Sequence, residues 1–300
     1  MKIQPSILVL AAGSLGDSLF TLPALRLLQS RQPVTLAGTA PYLALGADLL
    51  GVNEVLPLEP ILQNLFSSEA RHPPPSQVEF WNRFSEVFVF FKEPDERLQP
   101  KLSGFPHLKA HWPHLRFEEF LKQERWAGEY WLETVGGASG GPSPAFAPPR
   151  LNLPDSLKDR GRKVCESLGV AAPFVIHPGS GSPSKNAPLS FFRKAAERIT
   201  GEGGKSVLVV WGEAEERTLG EIREAFSSLP KVQVLAQPLA LADLAAVLNR
   251  SCGYLGNDSG VTQLASACGA KTFAVFSVTN SLVWGPQEAI ILEAVKNFSS

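Results

Sequence analysis

The sequence predicts an α/β fold: two Rossmann-like domains, each built on a parallel sheet, facing a central cleft. Three observations predict it. Short apolar runs of strand length alternate with helical patterns through both halves of the chain. Glycine-rich turns follow a strand near the start of each half, at Gly13-Ser14-Leu15-Gly16 and around Gly179-Ser180-Gly181. A Gly/Pro/Ser/Ala-rich stretch, 136–149, reads as a linker and gives domains 1–150 and 151–300. A chain of 300 residues is large for one core and comfortable for two, and 44% apolar content is enough to bury both.

The elements follow in order. Ile7-Leu8-Val9-Leu10 reads as a strand buried on both faces. A helical stripe through Leu19, Leu22 and Leu25 covers 17–29, with Pro23 inside its first two turns. Strand candidates 33–36 and 54–56 flank a short helix at 42–50. The stretch 57–150 is less regular; 86–91 is a clear strand and 117–131 looks helical. The second half is cleaner. Strands at 174–177, 206–211, 232–235, 253–256 and 272–276 alternate with helices at 156–168, 189–200, 213–226, 241–251 and 261–268. This spacing implies βαβ units, whose ligands sit at the carboxyl ends of the strands.

Composition narrows the function. A net charge of −1 gives no global attraction to nucleic acid or anionic lipid. Cys165, Cys252 and Cys268 are odd in number and contain no CxxC pair, so each is expected as a small buried apolar residue in a reducing compartment. The apolar run 7–12 is too short for a signal peptide, and no run is long enough to span a membrane.

Three turns carry candidate chemistry. In His177-Pro178-Gly179-Ser180-Gly181-Ser182-Pro183-Ser184-Lys185-Asn186, small residues let the backbone approach an anion and Lys185 adds charge. It is not a Walker A loop, and an ordinary Gly/Pro turn with a surface lysine is an equal reading. In Gly256-Asn257-Asp258-Ser259-Gly260 the amides of Ser259, Gly260 and Val261 would face a phosphate over the helix end, or Ser259 simply caps that helix. In Gly13-Ser14-Leu15-Gly16-Asp17 the GxGxxG spacing is absent, and Asp17 is either a first-turn charge or a general base. No HExxH motif and no D-x-D pair occurs. Residues 97–116 hold Arg97, Lys101, Lys109, Arg116, His107, His111 and His114 with no acid among them, suiting anionic groups of a ligand or a solvated loop.

These turns stand in an order that resembles the bacterial heptosyltransferase family, glycosyltransferase family 9. The resemblance lies in ILVLAAGSLGDSLFTLPALRLL (7–28), VIHPGSGSPSKNAPLSFF (175–192), VVWGEAEER (209–217), LADLAAVLNRSCGYLGNDSGVTQLASACGAKTFAVF (241–276) and Trp284-Gly285-Pro286. It implies the GT-B fold and metal-independent, cofactor-free transfer of a sugar with inversion, from a nucleotide diphosphate (ADP-heptose favoured) to a cell-envelope glycan or glycolipid. It also implies a cytoplasmic protein with transient visits to the inner membrane, and no nucleic-acid partner. By the same resemblance Asp17 is the general base. Ser180, Lys185, Glu216, Asp258, Ser259, Gly260 and Gln263 bind the donor, with Glu216 on the ribose. Ser14, Gly16, Arg97 and Lys101 are the acceptor-side candidates. Four positions depart from the pattern: Gln263 stands for a histidine, Ala187 for an aromatic, Ala11-Ala12 for a basic residue before the first turn, and Ser277-Val278-Thr279 for G-P-T. These leave two alternatives: a non-catalytic or altered-donor relative that binds nucleotide sugars, and a sugar-nucleotide epimerase or hydrolase of the same fold.

Overall fold

The computed structural model describes residues 6–67, 74–93, 95–139 and 147–293. The chain forms two compact units, Met1–Asn152 and Leu153–Ser300. Each is a Rossmann-like α/β unit on a parallel sheet, as the alternation of strands and helices predicts.

In the first unit the strands are β1 (Ser6–Ala11), β2 (Val34–Gly38), β3 (Glu54–Pro57), β4 (Phe84–Phe90) and β5 (Lys109–His111), in spatial order β3-β2-β1-β4-β5. All neighbouring pairs are parallel. β1 lies at the centre with Ile7 to Ala11 fully buried, which is why its sequence is an unbroken apolar run. Leu8 and Leu10 face a core with Leu58, Trp81, Phe84 and Leu98, where each side chain contributes roughly 1.5–3 kcal/mol by burial. Elsewhere in the unit Trp131 packs on Phe90 and Phe117 at ring separations of 5.0 and 6.4 Å.

In the second unit the strands are β6 (Phe174–His177), β7 (Val207–Val209), β8 (Val232–Val234), β9 (Gly253–Asn257), β10 (Thr272–Phe276) and β11 (Ile290–Glu293), in order β11-β10-β9-β6-β7-β8, again all parallel. Ile176, Phe192, Val207, Val209, Ile222 and Phe226 belong to a hydrophobic core of this unit. In both units the chain winds outward one way from the first strand and then returns to lay a later strand on its other side. The crevice beside that first strand is a topological switch point, where open α/β sheets take their ligands.

Several expectations are corrected. The helix expected over 17–29 is two, Leu15–Phe20 and Leu22–Gln29, because Thr21 turns the chain and Pro23 starts the second helix. The stretch 117–131 is likewise broken, into Phe117–Leu121 and Glu129–Ser139. That last helix runs into the expected linker 136–149. Buried Tyr130, Trp131 and Val135 hold it, and this packing outweighs the low propensity of Gly136 and Gly137; residues 140–146 lie outside those described. The helix expected from Glu213 opens as a 3₁₀ turn, Glu213–Thr218, before Leu219–Phe226. Strands β5 and β11 are additions at sheet edges. Cys165 and Cys268 are buried as expected, but Cys252 is exposed beyond the helix Leu241–Arg250. Among the described residues no helix is long and apolar enough to cross a membrane.

Candidate functional site

The switch point of the first sheet lies between the ends of β1 and β4. Gly13, at φ +154°, turns the chain out of β1; a Cβ there would sit 2.5 Å from the Cβ of Asp17. Only glycine lets the turn fold back that closely. Asp17 then occupies the first turn of Leu15–Phe20. Its Oδ2 accepts from the backbone N–H and the hydroxyl of Ser14, each at 2.9 Å. Its Oδ1 is ion-paired with Lys92, which lies just beyond β4. The Lys92 ammonium also sits 4.9 Å from the centre of the Phe117 ring. Gly16 lies in the same helical turn as Asp17, and Ser14 is exposed.

Two hollows flank Lys92. A cavity of about 160 Å³ is walled by Phe91, Trp112, His114, Arg116 and Tyr130. The Tyr130 hydroxyl donates to the Leu115 carbonyl at 2.7 Å, and burial with the nearby Glu93 charge pushes its pKa up to about 12. A more open pocket of about 660 Å³ is lined by Ala12, Gly13, Asp95 and Arg97 among others. Arg97 is paired with Asp95 at 2.8 Å and stacks over Phe66 at 4.7 Å, while Lys101 reaches the Phe66 carbonyl at 3.5 Å.

The basic stretch 97–116 is thus divided by the fold. His114 and Arg116 face the smaller cavity, and Arg97 the larger. His107 bonds the Trp81 carbonyl at 3.2 Å. His111 is buried, 2.6 Å from Glu86 and stacked on Phe88; burial lowers its pKa in spite of the Glu86 carboxylate. Among the described residues no three His, Cys, Asp or Glu side chains are grouped to hold a metal.

The second sheet's switch point lies between β6 and β9. Lys185 and Asp258 meet across it at 2.8 Å. Asp258 also accepts from the Thr279 hydroxyl at 2.7 Å, and Ser277 donates to the Lys185 carbonyl at 3.3 Å. The Ser277-Val278-Thr279 departure therefore holds this pair in place. Ser259 caps the helix Gly260–Ala267, its Oγ accepting from the Thr262 amide at 3.3 Å. The first intrahelical donors are Thr262 and Gln263, so the amides of Ser259, Gly260 and Val261 precede the helical ladder at its positive end. Ser180 is buried and donates to the Ser182 carbonyl at 2.7 Å, shaping the loop. Gln263 donates to the Trp284 carbonyl at 2.6 Å, tying its helix to the closing segment. Glu216 stands exposed on the 3₁₀ turn.

Sequence reasoning missed three groups here. Asn257 is fully buried: its Oδ1 accepts from the Ala187 amide at 2.9 Å and its Nδ2 donates to the Pro178 carbonyl at 2.7 Å. It stitches the two loops of the switch point together. Glu215, next to Glu216, is the buried acid; its Oε2 accepts from the Gly212 amide at 2.8 Å and lies 3.3 Å from His177 Nε2. Burial alone would raise its pKa, but His177 and the amides outweigh that and the net shift is downward. Gly179 packs against it, since a Cβ there would fall 2.0 Å from Glu215 Oε1. Lys92 is the third. The signal for Asn257 was an amide at the end of an otherwise apolar strand; for Lys92 the sequence holds none, because its partner stands 75 residues away.

Two parallel-sheet units, each with a charged pair and a glycine turn at its switch point, place the molecule among GT-B-type α/β proteins. Residues 150–296 match the model of glycosyltransferase family 9 (heptosyltransferase). Lipopolysaccharide heptosyltransferase 1 of Pseudomonas aeruginosa is 32% identical over 131 residues, covering 43% of this chain and 36% of that protein. The matched stretch thus spans little more than a third of that relative's length. Among solved structures, a glycosyl transferase family 9 protein from Veillonella parvula superposes with a TM-score of 0.74 at 18% identity, covering 98% of this chain and 87% of that one. The ADP-heptose lipopolysaccharide heptosyltransferase II of E. coli gives 0.72 at 18% identity, covering 97% and 91%. At such identities the superpositions speak to the fold. The similarity to glycosyltransferase family 9 is carried by the second half of the chain, residues 150–296.

Proposed function

We propose that the protein is an inverting, metal-independent glycosyltransferase that moves heptose from ADP-heptose onto a cell-envelope glycan of the lipopolysaccharide inner-core type. The observation that carries this reading is the second switch point: Lys185 paired with Asp258, the residue before the Ser259 cap of helix Gly260–Ala267. A cation and unladdered N–H groups at a helix N-terminus suit a diphosphate and its growing charge as it leaves. In this reading Asp258, Ser180 and Gln263 belong to the donor site, and the exposed Glu216 meets the ribose.

Residues 1–150 supply the acceptor side and 151–300 the donor side. The acceptor hydroxyl gives its proton to Asp17 as its oxygen bonds the sugar's anomeric carbon. The bond from that carbon to the phosphate oxygen breaks, and ADP departs with the electron pair. Ser14 and Gly16 border Asp17, and Arg97 lines the open pocket beside it, which supports their place on the acceptor side. Lys101 is not among that pocket's lining residues. The protein works in the cytoplasm and visits the inner membrane for its acceptor.

The departure at Gln263 favours a second reading, a binding relative without transfer: its amide is spent on the Trp284 carbonyl, and it carries no charge. One pair of measurements separates them. ADP at millimolar concentration raises the melting temperature more than UDP does, by mass action. Wild type transfers heptose to a lipopolysaccharide-core acceptor, and Asp17→Asn loses roughly 10²-fold or more in kcat while the ADP shift persists. Stabilisation without transfer selects the binding reading; no stabilisation by ADP overturns both.

A further inference from the structure

We propose that Lys92 is the positioning residue for Asp17, holding the one carboxylate oxygen still open to the acceptor's proton; this rests on the transferase reading above. An ionised carboxylate offers about four acceptor positions, two on each oxygen. In Asp17 both positions on Oδ2 are filled, by the amide and the hydroxyl of Ser14. Among the described residues Oδ1 has a single partner, the Lys92 ammonium. One position is therefore left for an incoming hydroxyl, and it is on the oxygen that Lys92 grips. Ser14 alone would leave the carboxylate to swing about its Cβ–Cγ bond; the second anchor fixes the plane and with it the direction of that last lone pair.

Lys92 is itself fixed. Its side chain is 29% exposed, and the ammonium lies over Phe117, so holding Asp17 does not require ordering a free surface lysine. Its place is set by the sheet. β1 and β4 pair with Ala11 opposite Phe90, and the Ala12 amide reaches the Phe90 carbonyl at 3.5 Å, so the chain two residues past β4 stands beside the turn that presents Asp17. The basic residue absent at Ala11-Ala12 is thus supplied from the neighbouring strand. Lys92 moves no proton; it acts through Asp17.

The test is a double-mutant cycle on the full chain. Lys92→Met keeps length and removes charge. It lowers kcat by about 10²-fold with donor KM within threefold, as a misdirected base would. Lys92→Arg restores a substantial part of the rate. In an Asp17→Asn background, Lys92→Met costs nothing further, because the group it positions has gone. Lys92→Met within threefold of wild type in kcat, or the same loss in both backgrounds, overturns the proposal. If wild type transfers nothing to any acceptor offered, the functional reading falls on its own. The positioning claim is then decided by nitrogen-15 spectra of the lysine ammonium: Asp17→Asn shifts the Lys92 signal if the pair holds, and leaves it unchanged if it does not.

Discussion

At the scale of single residues, two of the three acids of the Glu213–Thr218 turn, Glu215 and Glu216, stand in opposite surroundings. Glu215 is buried against His177 and Gly179, and Glu216 points to solvent. Glu216→Ala is expected to leave the melting temperature unchanged while raising the ADP dissociation constant several-fold, as read by calorimetric titration. Glu215→Ala lowers stability by about 2–3 kcal/mol, because it leaves His177 buried without its carboxylate. Lys185→Met removes a charge-assisted contact and is expected to weaken ADP by about ten- to a hundredfold. It also strips Asp258 of its cation, so the same titration on Thr279→Val separates loss of the phosphate contact from loss of Asp258 placement. No local pattern separates the adjacent glutamates: WGEAEER is too short for a helical stripe to point one inward.

At the scale of elements, the loop after β6 is held by contact rather than by caps. Adding a Cβ at Gly179 drives it into the Glu215 carboxylate, and the side chain must move. Gly179→Ala is expected to cost about 1–3 kcal/mol in urea unfolding. The double variant with Glu215→Ala loses less than the sum of the two single losses, since the clash vanishes with the carboxylate. Strands buried on both faces, β1, β6 and β10 among them, were legible as apolar runs. Edge strands were not: β5 is Lys-Ala-His and β11 ends in glutamate, so neither shows a burial pattern. The three glycine-bearing turns were legible as strand-turn-helix units because they are local in continuous sequence. Lys92 and Asn257 act across the sheet, and that information is in strand order, which no local pattern states.

At the scale of the whole molecule, each unit contains a buried acid–histidine pair, and both lose stability on acidification, at different pH. His111 has its pKa lowered from 6.5 by burial, so the unfolded chain binds the proton first. Its contribution is complete above pH 6.5 and falls away as pH drops from there towards the lower folded value. Glu215 is lowered from 4.5, so its contribution holds above pH 4.5 and is lost as pH falls through the folded value. Scanning calorimetry from about pH 8 to about pH 5 should show the first unit weakening as pH falls below 6.5, while the Glu215 contribution to the second is retained. His111→Phe flattens that slope; an unchanged slope would show that another group carries it.

The charged pairs at the two switch points have one more consequence. Asp17 with Lys92, and Asp258 with Lys185, each hold an internal counter-ion before any ligand arrives. In the proposed donor site, a phosphate that reaches Lys185 is therefore an exchange partner: it takes a place that a carboxylate already occupies. Less salt is released into solution than from a bare cationic site, so binding responds weakly to ionic strength. The displaced Asp258 is left with its Thr279 bond and an open face, ready to accept from a sugar hydroxyl on the same ligand. A free phosphate brings no such hydroxyl. In the proposed function the resident pair would favour a sugar-bearing diphosphate over inorganic anions.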